Sequence, residues 1–179
     1  MQKSVHLTSE SLSLQKKKRT SANVWSSFPE GIELTPRICK EIGKALQSDK
    51  KIQELSLTLK FTFRSLDKDL LYLTRGLKGL KSLYRINVKF GAFDLITDTG
   101  VYYMMKALSS LNSLKSLTLE FWDCIKIASI DLYFISRSLK RMIFLNKMRL
   151  VLIDFRQKVD KGLKKLNGTL NRLTKLENI

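Results

Sequence analysis

Apolar residues recur along this chain with a period of 31 positions, and within each period their spacing changes from helical to extended. Leu132, Ile135, Leu139 and Met142 step by three and four residues, the spacing of one helix face. Met148, Leu150 and Leu152 then alternate, the spacing of a strand with one buried face. The same columns run through the chain at 31-residue intervals. Leu55, Ile86, Leu117, Met148 and Ile179 form one; Leu57, Val88, Leu119 and Leu150 the next; Leu59, Phe90, Phe121 and Leu152 a third. On the helical side stand Cys39, Leu70, Val101, Leu132 and Leu163, with Ile42, Leu73, Met104, Ile135 and Leu166 three residues on. The pattern predicts helices over 36–47, 68–79, 99–111, 130–142 and 161–172. Strands are predicted near 54–60, 85–91, 116–122 and 147–153, and Val24 and Phe28 suggest a capping first strand over 23–29.

Polar residues mark the helix starts. Asp67, Asp98, Ser129 and Asp160 stand 31 apart just ahead of each helical pattern and are expected to be N-caps. The first copy uses Thr35 followed by Pro36, a cap and a proline at the first helical position.

A helix–turn–strand unit of this length cannot bury both elements alone, so successive units have to stack. The motif L-x-x-L-x-L stands as Leu114-x-x-Leu117-x-Leu119 and, with Met148, as Leu145-x-x-Met148-x-Leu150. On these residues the chain resembles the leucine-rich repeat, in its longer helix-containing, ribonuclease-inhibitor-like class. The resemblance covers residues 23–179, about five units. The family carries Asn or Cys three residues after the strand leucine, where this chain has Lys60, Gly91, Trp122 and Ile153; a frame shifted by two meets Cys124. The resemblance implies an α/β solenoid with a curved parallel sheet and helices on the convex side. It also implies a non-enzymatic interaction scaffold that binds a protein through its concave sheet face.

Residues 1–22 carry no repeat columns and read as a basic, disordered tail. The run Lys16, Lys17, Lys18, Arg19 reads as a solvated tail or as a nuclear-import or anion-binding arm. At the other end Ile179 is the first inward residue of a further strand. The 147–153 strand is therefore expected to present an open edge, which a partner or further sequence would cover.

Composition narrows the function. The 179 residues hold 33 Lys and Arg against 16 Asp and Glu, a net charge of +17, and 44% are hydrophobic, too many for a wholly disordered chain. No apolar run is long enough to span a membrane, and Leu7, Leu12 and Leu14 are too interrupted for a secretory leader. His6 is the lone histidine, Cys39 falls in a core column and Cys124 in a loop position. No catalytic constellation, metal site or cofactor motif is expected from them. Free cysteines of this kind fit a reducing, intracellular, cytoplasmic compartment.

Binding is where the residues point. Side chains between the inward ones face outward, giving the rows Ser56, Asn87, Thr118, Arg149; Thr58, Lys89, Glu120, Val151; and Lys60, Gly91, Trp122, Ile153. Trp122 beside Arg149 and Ile153 is the candidate anchor, with Lys60, Lys89 and Glu120 around it. The other reading of Trp122 is that it packs onto the loop that follows its strand. Lys44, Arg75, Lys106 and Arg137 form a basic ladder that helix C-termini favour without any ligand. Residues 139–175 hold 11 Lys and Arg against two Asp. Lys140, Arg141, Lys161, Lys164, Lys165 and Arg172 are the candidate anion contacts there. Such density calls for an anionic partner: an acidic protein, nucleic acid or an anionic membrane.

Overall fold

The computed structural model describes residues 4–6, 32–61, 67–91, 97–122, 129–153 and 160–171. The fold is α/β, with parallel strands and helices alternating along the chain. In order the elements are β1 (Ser4–His6), β2 (Ile32–Leu34), α1 (Pro36–Ser48), β3 (Glu54–Phe61), α2 (Asp67–Leu77), β4 (Arg85–Gly91), α3 (Asp98–Leu108), β5 (Ser116–Trp122), α4 (Ser129–Leu139), β6 (Lys147–Ile153) and α5 (Asp160–Leu170).

Strands β3 to β6 pair in chain order with every register offset by 31 residues: Leu55 faces Ile86, Ile86 faces Leu117, and Leu117 faces Met148. Their inward side chains meet the buried helix faces in one core. Phe90 and Phe121 stack there at 4.9 Å between ring centroids. The helix-to-strand turns are bonded in the same order. The amide of Tyr84 donates to the Gln53 carbonyl at 2.9 Å, that of Lys115 to Tyr84 at 2.8 Å, and that of Asn146 to Lys115 at 2.9 Å.

Several expectations are corrected. Helix α2 stops at Leu77, two residues early, and α3 and α4 stop at Leu108 and Leu139, three residues early. Tight turns follow, in which Leu80 donates to Leu77, Leu111 to Leu108 and Met142 to Leu139. A three-residue step keeps these apolar residues on the buried side after the helix has ended. Thr35 caps α1, its hydroxyl accepting from the Ile38 amide at 3.3 Å. Asp67, Asp98 and Asp160, by contrast, lie inside the first turns of their helices, where a carboxylate favours the helix dipole. Thr97 is the cap of α3. Asp67 holds that cap from the preceding unit, accepting from the Thr97 amide at 3.0 Å and its hydroxyl at 2.6 Å.

The N-terminal edge also differs. Ser4–His6, within the segment expected to be a tail, pairs with Glu54–Ser56, and Ile32–Leu34 pairs with Leu59–Phe61. The strand expected at 23–29 lies outside the described residues, as does the run Lys16–Arg19. At the other end Leu163 is 40% exposed, although Leu70 and Leu132 in its column are fully buried. No helix covers it among the described residues. No described helix is long and apolar enough to cross a membrane.

Candidate functional site

Alternation along β3 to β6 sends every second side chain away from the core, and the 31-residue register aligns those side chains in rows across the sheet. Thr58, Lys89, Glu120 and Val151 form the central row. Glu120 is the hub. Its Oε2 stands 3.2 Å from Lys89 Nζ on β4, and its Oε1 stands 3.9 Å from Arg149 Nε on β6. Trp122, two residues along the same strand, donates its indole N–H to Glu120 Oε2 at 3.3 Å. Three of the residues singled out in the sequence, Lys89, Trp122 and Arg149, thus share the carboxylate of a fourth, Glu120.

Burial grades the cluster. Glu120 is 7% exposed, whereas Lys89 is half-buried and Arg149 exposed, so the carboxylate is the costly member to leave unpaired. Trp122 is 44% exposed, and the loop that follows its strand lies outside the described residues. Gly91 and Ile153 are its register neighbours on either side. Among the described residues nothing lies within 4 Å of a Cβ built at Gly91. Ile153 is half-buried on the other flank. Lys60 begins this row on β3.

Asn87, between Ser56 and Thr118, has a buried side-chain oxygen without a partner among the described residues. A second acidic anchor, Glu54, accepts from the Tyr84 hydroxyl and from Arg85 Nη1, the latter at 3.2 Å.

The alternative anion contacts lie elsewhere. Lys140 and Arg141 are exposed in the turn after α4, and Lys161, Lys164 and Lys165 are exposed on α5. Helix α5 packs on α4, where the Ser136 and Thr169 hydroxyls meet at 2.7 Å. Arg172 lies outside the described residues. In the basic ladder, Arg75, Lys106 and Arg137 occupy last helical turns, but α1 runs on past Lys44 and has no base in its own. Arg75 lies 6.0 Å from the Tyr72 ring centre and Lys106 5.4 Å from that of Tyr102, so local contacts account for both.

Cys39 is fully buried, and its thiol is pushed up to about 12, by burial first and by the Asp69 carboxylate second. Its thiolate is thus absent at neutral pH. Cys124 lies outside the described residues. Among the described residues no cluster of His, Cys, Asp or Glu is placed to hold a metal ion.

Two residues escaped the sequence reading. Ile143 and Phe144 are 64% and 50% exposed in the turn between α4 and β6. The signal was available: the preceding turns carry Lys81-Ser82 and Asn112-Ser113 at these positions. No known protein family matches this chain, and no curated protein matches its sequence.

Proposed function

We propose that this protein is a non-enzymatic leucine-rich-repeat solenoid that binds an acidic protein partner through its outer sheet face, centred on Trp122. The observation that carries this reading is the Glu120 cluster. A nearly buried carboxylate holds the half-buried Lys89 and the exposed Arg149, and bonds an exposed indole at the C-terminal end of β5. Trp and Arg are the residue types that dominate interface energetics, and an anchor held before binding loses little side-chain entropy on docking. The exposed cations around it, Arg85, Lys147 and Arg149, favour an acidic surface opposite. The 31-residue register across β3 to β6 supports stacking of repeat units. The buried thiol of Cys39 fits an intracellular setting.

The test is capture of partners from cell extract with nuclease added, comparing the wild-type chain with Trp122→Ala/Arg149→Ala. The variant should lose the captured protein while its circular-dichroism melt stays nearly unchanged. Undiminished capture would remove the sheet face from consideration.

The second reading is electrostatic binding of nucleic acid, favoured by the exposure of Lys140, Arg141, Lys161, Lys164 and Lys165. Salt separates the two. Phosphate binding falls log-linearly and steeply with salt, whereas a Trp-anchored interface changes less.

A further inference from the structure

We propose that the edge of the sheet formed by the helix-to-strand turns docks on an anionic membrane surface, with Ile143 and Phe144 entering the headgroup layer. This goes beyond the sheet-face reading and uses a different surface.

The turns over 49–54, 78–85, 109–116 and 140–147 are stacked by the backbone ladder from Gln53 to Asn146, so they form one continuous edge. They carry nine Lys and Arg against Asp49 and Glu54, and all nine cations are exposed. One of them, Arg85, is paired with Glu54 at 3.2 Å. Some basic character follows from helix C-termini, where cations are favoured. That accounts for residues such as Lys78 and Lys140, but not for Lys51, Lys115 or Lys147 at the strand entrances.

The charge is spread along the edge on exposed side chains, with no buried donor among them to fix a single phosphoryl group. A diffuse array of this kind matches a fluid layer of anionic headgroups, which attracts each basic residue near its surface. At one end of the edge the 140–147 turn departs from its relatives. Ile143 and Phe144 replace polar pairs, stand at 64% and 50% exposure, and are flanked by Lys140, Arg141 and Lys147. An isoleucine cannot stack on a base, so nucleic acid makes no use of the more exposed of the two. A bilayer interface uses both, because it takes apolar side chains below a basic collar.

Flotation of the full chain with vesicles tests this, using phosphatidylcholine alone or mixed about three to one with phosphatidylserine. The chain should float with the mixed vesicles and stay behind with phosphatidylcholine. Ile143→Asn/Phe144→Ser, which installs the residues of the preceding turn, should weaken binding roughly tenfold or more with an unchanged thermal melt. Trp122→Ala/Arg149→Ala should float like the wild type, which keeps this test independent of the sheet-face reading. The proposal is overturned if the mixed vesicles bind no protein or if Ile143→Asn/Phe144→Ser binds as well as the wild type. Capture of single-stranded RNA without flotation would overturn it too, and would assign the edge to nucleic acid.

Discussion

Gly76 lies against Gly43 backbone to backbone: a Cβ on Gly76 would stand 2.6 Å from the Gly43 carbonyl oxygen and 2.9 Å from its Cα. A Cβ on Gly43 would in turn overlap the Tyr72 carbonyl. Helices α1 and α2 therefore meet with no side chain between them at this point. One period after Gly43 stands Thr74, and one period after Gly76 stands Ala107, so the glycine contact belongs to the first helix pair.

Gly76→Ala is expected to destabilise the fold by about 1–3 kcal/mol, because the obstructing atoms are backbone and cannot rotate away. Gly168→Ala on α5 is the control, since among the described residues nothing lies within 4 Å of its added Cβ. Removing a glycine from a helix interior there should stabilise by roughly 0.5–1 kcal/mol. Urea midpoints of the two variants should move in opposite directions.

The strand register makes a sharper prediction. Leu117 is 1% exposed in the core, while Thr118 faces outward and is half-buried. Leu117→Ala should cost about 2–5 kcal/mol through lost burial and the cavity left behind. Thr118→Ala should cost much less. A chemical melt in which Thr118→Ala is the more damaging change would reverse the register of β5.

Much of this fold was legible because one spacing serves two purposes. The 31-residue columns place both the strands and their neighbours, and the strand bounds at 85–91, 116–122 and 147–153 coincide with the expected ones. The helix ends were not legible, since Leu80, Leu111 and Met142 continue the apolar rhythm through turns. Ser4–His6 was not legible either, because three residues without a column give no period. In the site, the row register brings Lys89 into line with Glu120 and sets Arg149 one row away, opposite Thr118. That Trp122 would bond Glu120 on its own strand depends on side-chain rotamers, which spacing does not encode.

Cys39 gives a pH prediction. Its thiol ordinarily titrates near 9.0, and in the fold it is pushed up to about 12. The folded state therefore binds more protons than the unfolded state between those values. The contribution is complete below pH 9 and is lost as pH rises toward 12. Cys39→Ala lowers stability at every pH through its cavity, but should flatten the alkaline decline. Guanidine melts of both chains between pH 8.5 and about 10.5 test this; parallel slopes would show that the Cys39 proton plays no part.

The last prediction concerns the edge at β6. Strand β6 pairs with β5 along one side, and among the described residues no strand lies on its other side. Burial falls off in step. Leu57 and Leu119 are at most 1% exposed, whereas Leu150, their counterpart on β6, is only partly buried, as are Met148 and Leu152. Leu163 on α5 follows the same trend. A side chain with little burial has little to lose, so Leu163→Ala should cost under about 1 kcal/mol, against about 2–5 kcal/mol for Leu132→Ala in the same column. Amides of 147–153 that point away from β5 should exchange quickly, while those of 116–122, flanked by strands on both sides, should be protected. The net charge of +17 opposes closure of this edge by a second copy, so light scattering at low salt should report a monomer. If Leu163→Ala proves as damaging as Leu132→Ala and every 147–153 amide is slow, the edge is covered. An acidic partner added to the monomer should slow those same amides.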